Sequence, residues 1–169
     1  RNALASAGNN ETSNVALGVN AMSNCDEGSG SGNQIDQNIA IGVDCLVGAD
    51  FGSTGSRVLT HNIAIGGDAL NSTGTNSQTG TIAIGFASLT ALTTGARNLA
   101  IGYQSLYQAD VINDSIAIGY QAMGGTDAGA CEKNIAIGNY ALDGALSNAL
   151  HNVAIGYNAL TANTSAGSN

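Results

Sequence analysis

Few side chains in this sequence could do chemistry. The histidines are His61 and His151, and each immediately precedes an Asn in a recurring stretch, "NIAIGGDAL" at 62–70 and "NVAIGYNAL" at 152–160. A general base needs a unique pocket and an orienting partner. Two histidines at equivalent places of a repeat read instead as loop residues. The cysteines are Cys25, Cys45 and Cys131. No CxxC spacing among them supports zinc. An odd count outside the cell points to a free or intermolecular thiol, and a Cys25–Cys45 bond would need the long first loop to fold back. Asp44 and Asp68 share one repeat position, and "CDEG" at 25–28 packs two acids together. Such hard oxygen ligands suit Ca2+. There is no EF-hand loop and no GGxGxDxxx nonapeptide, so solvated carboxylates are the preferred reading. No Ser-His-Asp arrangement, Walker loop or dinucleotide fingerprint is present. The sequence therefore assigns no catalytic residue, no cofactor-binding residue and no metal ligand, and the chain is read as a non-enzyme.

What the chain must position is a repeat. Aligned on one glycine per copy, the copies centre on Gly18, Gly42, Gly66, Gly85, Gly102, Gly119, Gly138 and Gly156, with spacings of 24, 24, 19, 17, 17, 19 and 18 residues. A period near 20 is the mark of a repeat architecture. Four places before the glycine stand Asn14, Asn38, Asn62, Asn98, Asn134 and Asn152, with Thr81 and Ser115 in the remaining copies. Two places before it stand Ala16, Ala40, Ala64, Ala83, Ala100, Ala117, Ala136 and Ala154. The positions flanking each alanine are Ile, Val or Leu, and four places after the glycine is Leu or Met.

Polar, large, small, large is the alternation of a short strand, with Ile on one face and Asn and Ala on the other. Strands this short are stable only when copies stack, as in a solenoid. The glycine supplies a tight corner, the Leu or Met after it returns to the core, and the Gly-, Ser-, Thr- and Asn-rich segments between copies are loops. Stacked amides one strand spacing apart predict an Asn ladder along the axis; the alternative is that Asn merely tolerates the turn. An alanine in every copy predicts close packing by a neighbour, and a second copy of the chain is the simplest one. A three-fold bundle of parallel stacks closes such a contact. The alternative is that alanine fills a narrow corner inside one coil; the interface is preferred. One place after the glycine, Phe86, Tyr103 and Tyr120 form an aromatic stripe, read as stabilising stacking ahead of sugar binding.

Composition agrees. The 169 residues include 24 Gly, no Pro and no Trp, and 43% are hydrophobic while only 4% are aromatic. That favours a thin, regular strand-built object over a compact core of large rings, and excludes a disordered chain. The net charge is −8 and the basic residues Arg1, Arg57, Arg97 and Lys133 are scattered, so nucleic acid and anionic membrane surfaces are poor partners. No apolar run is long enough to span a bilayer. The opening "RNALASAGNN" resembles the end of a repeat, as expected for an internal or processed piece of a longer protein.

The motifs "NVAIG", "NIAIG" and "SIAIG" resemble the head repeats of trimeric autotransporter adhesins. "AIGYNAL" at 154–160 and "AIGYQSL" at 100–106 are closer still to the "NTAIGYxAL" repeats of phage tail-fibre and tail-spike proteins. The resemblance covers all eight copies. It implies a left-handed parallel β-roll or β-helix, three chains side by side, in an extracellular fibre of a virion or cell surface. The period departs from the adhesin heads, and no coiled-coil stalk, anchor or chaperone domain is visible. "IGYQSL" also resembles one hexapeptide of the acyltransferase β-helix, with Ile101 inward. The stretch "YQADVINDS" at 107–115 supplies no second or third hexapeptide.

The expectation is therefore an all-β parallel solenoid over residues 1–169. It has a partial coil at 1–13, then about eight coils of 17–24 residues starting near Asn14, Asn38, Asn62, Thr81, Asn98, Ser115, Asn134 and Asn152. Its expected role is structural: a homotrimeric fibre segment presenting an attachment surface to a host-surface glycan or protein receptor. A self-polymerising extracellular filament is the alternative, and an acyltransferase β-helix a remoter one.

Overall fold

A computed structural model describes residues 11–26, 28–29, 32–48, 52, 56–125, 131–144 and 149–162. The expected partial coil, with its "NAL" at 2–4, lies largely outside them, as do Arg1 and Glu27. In chain order the strands are β1 (Val15–Leu17), β2 (Gln34–Asp36), β3 (Ile39–Ile41), β4 (Val58–Thr60), β5 (Ile63–Ile65), β6 (Gln78–Thr79), β7 (Ile82–Ile84), β8 (Gly95–Ala96), β9 (Leu99–Ile101), β10 (Ile116–Ile118), β11 (Ile135–Ile137) and β12 (Val153–Ile155). No helix occurs among the described residues.

The repeated Ile-Ala-Ile strands form one eight-stranded parallel sheet in the order β1-β3-β5-β7-β9-β10-β11-β12. A second parallel sheet, β2-β4-β6-β8, is built from the segments between copies. The chain is an all-β parallel solenoid. Register is strict: Ala16 pairs Ala40, Ala40 pairs Ala64, and Ala117 pairs Ala136, although the intervening segments differ in length. A one-residue slip would exchange every inward and outward side chain, so burial enforces this pairing.

The strand turns where the sequence places glycine. The glycine φ lies between 126° and 142° in all eight copies, and in seven of them an added Cβ would meet the next copy's backbone, 2.3 Å from the Gly119 oxygen in the case of Gly102. The corner goes on through residues with side chains. The residues two and four places after the glycine are left-handed, as at Gln104 (φ 53°) and Leu106 (φ 51°). That conformation costs an L-residue roughly 1–2 kcal/mol. Bonds to the copies on either side offset it: Gln104 N–H donates to Phe86 O of the preceding copy at 2.9 Å and Leu106 N–H to Ala122 O of the following one at 3.0 Å. Leu106 is also fully buried.

The alternation is the reverse of the one expected. The alanines from Ala40 to Ala154 are at most 1% exposed within a single chain. The flanking Ile, Val and Leu side chains are half-buried or exposed. The interior is about one side chain deep: Ala and Asn of the first sheet meet the Leu or Met after the corner and Ile35, Leu59, Leu92 and Ile112 from the returning segments. Alanine leaves room for those larger groups, where two opposed Ile would not fit at native packing density. The expectation of an interchain alanine column is corrected accordingly. The alanines fill the inside of the coil, and the aliphatic residues beside them face outward.

Candidate functional site

The asparagines tie the coil together. Asn38 Nδ2 donates to Asn14 Oδ1 at 3.1 Å and to Leu59 O at 2.7 Å, and Asn14 Oδ1 also accepts from Asn38 N–H at 2.9 Å. Asn62 repeats the pattern on Asn38 and Gln78 O, and Asn152 donates to Asn134 Oδ1 at 3.1 Å. Asn98 donates instead to Ile112 O. The bonded amides run in two ranks, Asn14 to Asn62 and Asn134 to Asn152, with Asn98 alone between the shorter Thr81 and Ser115. At the first gap Thr81 Oγ1 and the nearby Gln78 Oε1 are buried without a hydrogen-bond partner. Asn38, Asn62, Asn98 and Asn134 each link their strand both to a neighbouring copy and to the returning chain, which is why they stay buried and polar.

The other singled-out groups are dispersed. His61 and His151 are exposed and left-handed, both at φ 60°, and their N–H groups bond the preceding copy at Asp36 O and Glu132 O. Cys25, Cys45 and Cys131 are buried thiols. Burial pushes the Cys25 thiol up to about 12 and the Cys45 thiol up to about 11. Cys45 Sγ donates to Gly42 O at 3.3 Å, the same bond that Ser88 and Ser105 hydroxyls make in their own copies. Asp44 accepts from Asn20, and Asp68 from Asn71. No group of three or more His, Cys, Asp or Glu positioned for a metal occurs among the described residues. Arg97 and Asp114 pair in two bonds of 2.5 and 2.9 Å at the surface, and the guanidinium holds the Asp114 carboxyl below the usual range.

The outer side of the eight-stranded sheet is the feature without an internal partner. It carries two ranks of aliphatic side chains, one on each side of the alanines. Leu17, Val15, Val153 and Ile155 are 50–67% exposed and the middle of the sheet is half-buried. Sixteen such groups make one continuous apolar face along the sheet, most open at its two end strands. Along one margin runs the aromatic stripe. Phe86, Tyr103 and Tyr120 stack at centroid distances of 5.4 Å, and Tyr140 and Tyr157 continue the line edge-to-face at 5.2 and 6.2 Å. Tyr140 comes from the place after Asn139, so the aligned column missed it. Tyr140, Asp143, Tyr157, Asn158 and Thr161 line a shallow recess of 410 Å³. Burial raises the Asp143 carboxyl, and the N–H of Gly125, donating to it at 2.9 Å, opposes that rise. The orientation of the ranks was open to sequence reading, because Asn and Ala share a face and buried Asn marks the inside.

No helix among the described residues is long and apolar enough to cross a membrane. Comparison with family models, curated proteins and solved structures gives no match.

Proposed function

We propose that the chain is a structural segment of an extracellular fibre, such as a tail fibre or surface adhesin. In this reading three copies of a left-handed coil stand side by side around an axis parallel to the stack. The observation that carries it is the pair of outward aliphatic ranks on an in-register sheet. A sheet face this apolar wants cover, and a second copy of the same chain offers one matched rank for rank. A three-fold rotation closes the contact without leaving one face open. The margins and loops remain outside and supply the attachment surface for a host glycan or protein. The repeat resemblance supports the same reading independently of the ranks.

Light scattering on the purified 169-residue chain tests the assembly. A mass of three chains is the expected result. A single-chain mass overturns the proposal. A mass that climbs with concentration favours the end-to-end filament instead.

A further inference from the structure

We infer that the aromatic stripe is one half of a seam between copies. The other half is the rank of left-handed residues at the opposite margin of the sheet, which includes His61, Gly80, Arg97 and Asp114. This rests on the fibre reading above. The two aliphatic ranks face outward from each copy, and the aromatic residues follow the glycine corner at one end of the strand, so the stripe borders that face. The other margin is set by the residue before each buried Asn or its Thr81 or Ser115 substitute, with φ near 60° at His61, Arg97 and Lys133. Around a three-fold axis every chain turns one margin to each neighbour, and equivalent copies meet at the same height.

The two margins fit in size at that height. The aromatic rank lacks a side chain at Gly67, and the same copy carries His61 at the other margin. The left-handed rank lacks one at Gly80, and the same copy carries Phe86. The chain's own fold does not demand Gly80: its φ of 66° matches positions that hold Gln, His and Arg, and an added Cβ would meet only Arg97 Cγ at 3.8 Å. Space for Phe86 of the adjacent chain does account for it. In the next copy, Tyr103 meets Arg97, whose guanidinium is fixed by two bonds to Asp114 and suits the face or edge of a phenol ring.

Sugar stacking explains the stripe less well. The ring of Tyr103 is stacked between Phe86 and Tyr120, at an interplanar angle of only 7° with the latter, while the residue as a whole remains 44% exposed. A rim is what a packed seam uses, and a saccharide needs a face.

The test is site-directed cross-linking with a short bis-maleimide. The native thiols are fully buried and leave little background. The double variant Tyr103→Cys/Arg97→Cys is expected to give a closed three-chain species on a denaturing gel, and neither single variant any cross-link. Phe86→Cys/Gly80→Cys provides a second pair that leaves the Arg97–Asp114 contact intact. A three-chain particle with no cross-link from either pair overturns the seam and leaves the fibre reading standing. Cross-linking of Tyr103→Cys alone also overturns it, because the aromatic rank would then meet its own equivalent. A single-chain particle removes both.

Discussion

At Gly102 an added Cβ would stand 2.3 Å from the carbonyl oxygen of Gly119, at a φ of 134°. Neither the overlap nor the backbone angle can relax without moving a stacked copy. Gly102→Ala is expected to lower stability by about 3 kcal/mol, the left-handed cost and the steric cost combined. Gly156 meets nothing within 4 Å, so Gly156→Ala should lose only the part due to φ. Urea titration of the two variants separates the effects. Cys45 offers a second residue-scale test. Burial lifts its thiol from 9.0 to about 11, and that of Cys25 to about 12. The folded state thus keeps protons that the unfolded chain releases above pH 9. Stability is full below that point and falls as pH rises towards the folded values. Each thiol should weaken the folding equilibrium about tenfold at pH 10. Cys45→Ser keeps the bond to Gly42 O that Ser88 and Ser105 make in their copies. It is expected to fold at pH 8 and to lose one such factor less on moving to pH 10.

At the scale of the element, the strands and corners were readable because each copy repeats its neighbour. The glycine marks the turn, the Leu four places on is buried, and the parallel pairing follows from stacking. Which face looks inward was not obtained, because Ile suggested a core more strongly than Ala did. The second sheet was not visible either: β6 is Gln-Thr and β8 Gly-Ala, short pairs with no shared pattern, held by main-chain bonds to their neighbours in the stack. The left-handed Leu residues escaped notice too, since local preference argues against them and only the bonds between copies overrule it. The Asn rank was read as a ladder, and its interruption at Thr81 predicts a gain. Thr81→Asn can donate to Asn62 Oδ1 and end the isolation of the buried hydroxyl position, raising stability by about 1 kcal/mol. A thermal unfolding midpoint at or below that of the parent chain would show that the site has no room for the amide.

For the whole molecule, the outward aliphatic ranks govern association while the inward alanines govern the coil, so the two can be separated. Ile118 lies mid-sheet on the outer side. Ile118→Glu is expected to give particles of one chain that keep the parent's β-type circular dichroism; loss of that signal would mean the outer rank also holds the coil together. The in-register stack has a further consequence, for force. Its inter-strand hydrogen bonds point along the long axis, so tension on the two ends passes through every interface in series and the weakest yields first. A 17-residue copy that lets go pays out about 60 Å of chain while its neighbours stay wound. Under a pull, such a fibre would yield in small repeated steps, absorbing work over a long extension instead of snapping.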